Sequence, residues 1–459
     1  MKRFAPHQQR DRSLLTIINI VLLLALLWLS AKSIVQPGFA LALLWSMYAY
    51  EQLILSGNAS LVEAGSALNI FFAGICALAV VNGLRTGTIR RLEISKEFGF
   101  CLGLLVFVGC SYIWSISPAD TVTYGKKAAP YLGAFVLIAP FCATDQKQLR
   151  LAINTTIWLG AIIMLGFALA DFGRRTVTLV VDNQDIRTNP LAVASYAGYV
   201  GICSLFSVYG RKFSPVVAIK IGIFILCTFV IIKSSTRGQL IALTLVCFIW
   251  LPIIAKASLN RSTVVAFFGA AIVASVIIYT VYQFTESGRW RAEQIETASD
   301  GRFEMTYTLL KYWGNSGIGA WIFGLGSSSS FKVVGFYPHN VPVEVLAEEG
   351  VLGLCLYLSF CFAVVFRAGR LIFSEHLPQE TRVNLGVLLA LFCFEGILTL
   401  KQGSLIGNSA WLGVGATIGW ITLQLKRDVR RNLRNKQGMD YYYANQYGHD
   451  PRFLRRPTN

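Results

Sequence analysis

The side chains best suited to chemistry gather in one polar stretch of an otherwise apolar chain, from Phe284 to Gly353. The stretch opens on Glu286-Ser-Gly-Arg289-Trp-Arg291 and passes Asp300-Gly-Arg302-Phe-Glu304. It crosses Phe323-Gly-Leu-Gly-Ser-Ser-Ser-Ser330 and closes on Tyr337-Pro-His339-Asn340-Val-Pro-Val-Glu344, shortly before Glu348-Glu349-Gly350. The chain has four histidines, and the other three lie near the termini or in a basic turn. An imidazole near its ordinary pKa of about 6.5 can take a proton at neutral pH. A guanidinium fork grips phosphate oxygens in pairs. A histidine, several arginines and many aromatics in one polar loop therefore point to acid–base work on an anionic substrate.

Individual residues can be weighed against blander roles. Arg237, in Ser234-Ser-Thr-Arg237-Gly238, joins two apolar runs so closely spaced that it must sit at or just inside a membrane boundary. A charge at the bilayer centre costs about 2.5–3.5 kcal/mol on insertion scales, so such a residue usually has a task beyond anchoring. Arg187, in Asp185-Ile-Arg187-Thr-Asn189-Pro190, reads equally well as an anchor that snorkels to headgroups. Asn189 and Pro190 suit the start of the next helix. Arg302 heads a helical stretch with Phe303, Tyr307, Leu310 and Trp313 on one apolar side, and it either pairs with Glu304 or reaches a phosphate. Asn340 should cap a helix that tolerates Pro342 in its first turn and carries Glu344 and Glu348 on one face. His339 would then lie beside free helix N–H groups that favour an anion. Trp290, Tyr307, Tyr312, Trp313, Trp321, Phe336 and Tyr337 suit packing as well as stacking on sugars. No compact His/Asp/Glu cluster or C-x-x-C spacing suggests a metal, and the ten cysteines read as small buried hydrophobes.

The elements that must position these residues are membrane helices. The chain is 459 residues long, 54% hydrophobic and only 14% charged, against about 25% in a soluble protein. A helical crossing needs about 20 largely apolar residues. Runs near that length lie at about 14–31, 38–55, 62–84, 98–116, 128–143, 151–170, 190–209, 215–232, 238–255, 262–283, 350–366, 383–400 and 408–425. No strand-like alternation competes, so the fold class is an all-α polytopic membrane protein. The net charge of +17 sits in short loops and in a basic tail after Leu425. That distribution suits topogenesis and an anionic leaflet rather than nucleic acid. With the tail in the cytoplasm, the loops 85–97, 144–150, 210–214, 256–261 and 367–382 fall inside and carry more than twice the Lys/Arg density of their counterparts. The polar stretch is then periplasmic. Thirteen runs would place the basic N-terminus outside, so one of the first three, bracketed by Gln36-Pro37 and Ser56-Gly57-Asn58, is expected to fall short. About 12 spans (11–13) result, divided into an N-terminal bundle (1–283), a large periplasmic catalytic loop (284–349), C-terminal helices (350–425) and a basic cytoplasmic tail (426–459).

His339-Asn340, nine residues, then Gly350-Val-Leu-Gly353 resembles the H-[NSQ]-x9-G-x-x-[GTY] signature of bacterial O-antigen ligases. The Ser-Thr-Arg237-Gly turn resembles an upstream Ser-Arg-Gly element of the same superfamily, which includes surface-polysaccharide polymerases. Asp-Gly-Arg302, Phe-Gly-Leu-Gly326 and Tyr-Pro-His-Asn340 fall in the family's order, over roughly residues 185–400. The resemblance implies a GT-C-like integral membrane glycosyltransferase that uses neither metal nor other cofactor. Its donor would be a glycan on undecaprenyl diphosphate, and its acceptor lipid A–core or another glycan repeat unit, at the outer face of the bacterial inner membrane. It implies that Arg237, with Arg187 and Arg302, binds the diphosphate, that His339 serves the acceptor hydroxyl, and that Asn340 and Glu344 fix the histidine. Ligase and polymerase remain open. From other classes, a transporter would place its ionisable groups near the midplane, where Glu51 and Glu395 are the nearest candidates. An envelope scaffold would use the tail and Tyr441-Tyr-Tyr443.

Overall fold

Long apolar runs fold as helices because a backbone in lipid must satisfy its own hydrogen bonds. The computed structural model describes residues 6–57, 65–89, 93–169, 178–181, 184–187, 189–208, 214–234, 236–255, 292–374 and 377–447. The first helices are α1 (Pro6–Ser33), α2 (Pro37–Gly57), α3 (Gly65–Arg85), α4 (Lys96–Cys110), α5 (Pro118–Leu132), the short α6 (Ala139–Cys142) and α7 (Gln146–Leu169). A hairpin of β1 (Thr178–Val181) and β2 (Gln184–Arg187) follows, then α8 (Pro190–Ser207), α9 (Pro215–Lys233) and α10 (Arg237–Ala255). The polar stretch holds α11 (Ala292–Gly314), α12 (Ile318–Phe323) and α13 (Ser329–Val334). Three long helices come after it, α14 (Val341–Ile372), α15 (Gln379–Thr399) and α16 (Ser409–Tyr447). Among the described residues, seven helices are long and apolar enough to cross a membrane, in α3, α4, α7, α8, α9, α14 and α15. Shorter apolar segments lie at Ile17–Ser33 and Arg237–Trp250. The protein is therefore a polytopic helical membrane protein. The run expected at 262–283 and residues 284–291, with Arg289, Trp290 and Arg291, lie outside the described residues.

Two expectations are corrected. The antiparallel hairpin β1–β2, with Thr178 opposite Arg187, is a small exception to the all-helical class. The run at 128–143 is not one regular helix: α5 carries Pro130 and passes through a π-helical turn, Gly133–Ile138, into α6. Of the first three runs, only α3 is among the seven helices long and apolar enough to cross, and the apolar part of α1 is the shorter Ile17–Ser33. Gln36-Pro37 is a tight turn, and α2 is a 21-residue helix packed among α1, α3, α7 and α8. Its Leu41, Leu43, Leu44 and Tyr50 are completely enclosed. Protein rather than lipid covers α2, so it tolerates Glu51, which accepts from the Asn69 amide (3.0 Å). The Tyr50 hydroxyl donates to the Leu22 carbonyl, so α1 runs antiparallel to α2. The start of α1 lies at the end of the bundle opposite its Ser33.

Among the described residues, the loops sort to two ends as their charges predict. Arg150 meets Glu380 (2.6 Å), Arg367 grips both oxygens of Glu97 (2.8 and 2.7 Å), and Arg427 pairs with Glu93. These pairs tie the expected inside loops 85–97, 144–150 and 367–382 to one another and to Arg427, at the start of the basic tail. The other end gathers Ser111–Thr121, Lys233–Gln239, the polar stretch and the loop 400–408. There Lys233 caps the end of α7 through the Ala168 carbonyl (2.8 Å), and Gln239 holds Gln402 (2.9 Å).

Candidate functional site

The site is built on a broken helix. Asn340 caps α14 as its sequence predicts, accepting from Val343 N (3.3 Å) with Pro342 in the first turn. The helix then breaks at Gly350, where φ is 67° and ψ −167°, a conformation that costs glycine little and other residues much. A helix end leaves carbonyls without partners, and the Phe-Gly-Leu-Gly segment takes them. Leu325 N donates to Ala347 O (2.9 Å) and Gly326 N to Glu348 O (2.8 Å). Gly324 and Gly326 have positive φ as well, and a Cβ on either would overlap the backbone of Glu348 or Ser115. These glycines let two chain segments touch backbone to backbone.

The serine run that follows is a clasp. Glu348, buried on the first part of α14, accepts from Ser328 N (2.7 Å), Ser330 N (3.0 Å) and the Ser330 hydroxyl (2.6 Å). Ser327 is held in turn by Ser111, Ser115 and Thr121, at 3.0, 2.7 and 2.6 Å. Ser327 to Ser330 are all buried, so this low-complexity segment is interior scaffold rather than exposed loop. Glu349 accepts from Ser111 (3.0 Å), and Glu344 from Leu405 N (3.2 Å). The three carboxylates surround a small cavity also lined by Tyr124 and Ser404.

His339 stands just ahead of this helix with a left-handed backbone, φ 57°, a strained setting for a side-chain-bearing residue. Its ring packs edge-on to Tyr337 (4.6 Å between centroids) and against Phe336 (5.3 Å), and these two rings stack on each other at 4.1 Å. Burial first, and then the positive charge of Arg302, lower its pKa below 6.5, so the imidazole is neutral and able to accept a proton at pH 7. Arg302 lies on α11, which packs on α13 and α14. Its charge also reaches Lys401, in the turn after α15. Lys401 is pushed down to about 8, by burial and then by Arg302 and Arg237. The Lys401 side chain lies directly over Gly238, where a Cβ would overlap its ammonium. Arg237, Arg302, Lys401 and His339 thus come from four separate segments and meet at one end of the bundle. Among the described residues neither Arg302 nor Lys401 pairs with a carboxylate.

The structure sorts the sequence candidates. Arg237, Arg302 and His339 come together, with Asn340 as a helix cap below them. Glu344 reaches the loop 400–408, and through Leu405 it fixes that loop rather than the imidazole. Arg187 is placed only by its backbone, on β2; its side chain lies outside the described residues. The Asn189 cap of α8 is as expected, accepting from Leu191 N and Ala192 N (3.1 and 3.3 Å). The expected apolar side of α11 is wrong in detail, because Phe303 and Tyr307 are exposed and Leu309 is buried. Trp313 and Trp321 brace the α11–α12 turn through the Ala320 and Gly314 carbonyls (2.8 and 2.9 Å), which favours their packing role. The sequence reading passes over Lys401. Its only signal was a lysine in a short turn on the face of Arg237, and any anchoring lysine looks the same.

Residues 222–358 match the family model for O-antigen ligase (Wzy_C). The resemblance read from the motifs holds over this segment, which contains Arg237, Arg302, His339, Asn340, the clasp and the Gly350 break. The O-antigen ligase domain leaves out α1 to α8, Arg187 and Lys401. No curated protein matches the chain.

Proposed function

We propose that this protein transfers a glycan from undecaprenyl diphosphate to an acceptor sugar hydroxyl at the outer face of the inner membrane, as an O-antigen ligase in lipopolysaccharide assembly. The grouping of Arg237 and Arg302 about Lys401, with Arg302 also beside a neutral His339, carries this reading. The acceptor oxygen attacks the anomeric carbon with inversion. The bond from that carbon to the phosphate oxygen breaks, and the lipid diphosphate leaves with the electron pair. Arg237, with Arg302 and Arg187, binds the diphosphate, where a fork of fixed donors stabilises charge as it grows. His339 receives the hydroxyl proton. Asn340 and Glu344 act from below, by capping the helix that carries the histidine and by fixing the loop 400–408. The site end faces the periplasm, because the basic loops gather at the other end. Arginines supply the positive charge in this scheme, so it needs no metal.

The lipopolysaccharide of a deletion strain tests the proposal. Rough lipopolysaccharide with lipid-linked polymer accumulating is the expected outcome. Single-repeat species would instead make the protein a polymerase of the same donor chemistry, and unchanged lipopolysaccharide would overturn both readings.

A further inference from the structure

We infer that Lys401 is a third donor-site cation, one that contacts the leaving diphosphate and sets the preference for a lipid diphosphate over a lipid monophosphate. The inference rests on the lipid-diphosphate reading above, but Lys401 itself lies outside the O-antigen ligase domain match. Its basis is geometric. The turn after α15 is pinned on three sides, by Gln239 to Gln402 (2.9 Å), by Glu344 to Leu405 N (3.2 Å) and by Tyr124 to Ser404 (2.7 Å). So held, Lys401 lays its side chain across Gly238, the residue next to Arg237. A side chain at 238 would evict it, which gives the glycine of the Ser-Thr-Arg-Gly turn a function. Lys401 forms no ion pair among the described residues, although it is partly buried and shares its surroundings with Arg237 and Arg302. Among the described residues neither Lys401 nor Arg302 pairs with a carboxylate, and an anion seated beside them would relieve their mutual repulsion.

The charge count selects that anion. A diphosphate joined to both lipid and sugar carries about two negative charges. Once the sugar has left, it approaches three at neutral pH, since the second phosphate pKa is about 6. Two arginine forks match the bound donor. A compact ammonium, which acts as a point charge, is the group left to meet the charge that appears as the sugar–oxygen bond breaks. A lipid monophosphate offers too little charge to engage all three.

The test uses the full chain in nanodiscs with two probes, undecaprenyl diphosphate and undecaprenyl monophosphate. Lys401→Met should weaken diphosphate binding roughly ten- to a hundred-fold and leave monophosphate binding nearly unchanged. Lys401→Arg should keep most of the preference. A Lys401→Met protein with wild-type preference would overturn the inference while leaving the donor site intact, provided that Arg237→Ala weakens diphosphate binding in parallel. Equal loss of both ligands would make Lys401 a structural residue and overturn it too. Failure of the wild-type protein to bind undecaprenyl diphosphate would sink this inference and the proposed function together.

Discussion

Two clusters of ionisable groups flank the short helix from Asn340 to Glu349, and they are built in opposite ways. Below it, Glu344, Glu348 and Glu349 are buried, and backbone N–H and serine hydroxyl groups are spent on them. Beside its start, Arg237 and Lys401 are partly exposed and Arg302 is exposed, and the two arginines disfavour the charge on Lys401. Buried carboxyl groups bonded in this way, Glu348 through both of its oxygens, hold separate segments of the fold together. Like charges held in reach of solvent destabilise the free protein and are retained where a ligand repays them. Arg367 on Glu97, at the other end of the bundle, follows the first pattern with opposite charges. Burial and partners, more than residue type, separate scaffold from site here.

The largest effect should come from the carboxylate side. Glu348→Ala orphans three donors at about 1–3 kcal/mol each, so thermal unfolding should shift far down or the protein should fail to accumulate. Normal stability in that variant would break the comparison. On the cationic side the sign reverses, because Arg237→Lys keeps the charge and loses the fork. Turnover should fall about a hundred- to a thousand-fold, which is about 2.7–4 kcal/mol of transition-state stabilisation, with little change in melting temperature. His339→Ala should lose roughly a hundred-fold or more in rate while binding undecaprenyl diphosphate like the wild type. Weakened binding there would place the histidine on the donor instead of the acceptor.

A smaller, graded effect follows from pH. His339 must be neutral to take a proton and its pKa lies below 6.5, so kcat/KM should rise with pH through that region. Lys401 must be protonated to act and titrates at about 8, so kcat/KM should fall above about pH 8. Lys401→Arg should abolish the alkaline fall and leave the acid limb in place. An alkaline limb that persists unchanged would mean another group titrates there. The smallest expected effect is none at all: excess EDTA should leave the activity of purified protein intact. A loss that magnesium restores would mean that positive charge comes from a metal as well as from the cluster.

Much of this was legible from the residues in order. Apolar length marked the helices, loop charge sorted the two ends, and Asn340 with Pro342 marked a helix start, because each of these is a local property of hydration or backbone geometry. The motif spacing from Arg237 to Gly353 also pointed to the domain match. What the order could not disclose depended on neighbours far along the chain. The serine run reads as an exposed linker until Glu348 is seen to collect its N–H groups. The run 38–55 reads like any other apolar helix until α1, α3, α7 and α8 are seen to enclose it. Gly238 and Lys401 are 163 positions apart, like Gln239 and Gln402, and neither residue type announces the other. Sequence determines which groups can carry charge, turn a helix or enter lipid; only the packed bundle decides which charges meet, because electrostatic and hydrogen-bond energies depend on distance in space and on the water left between.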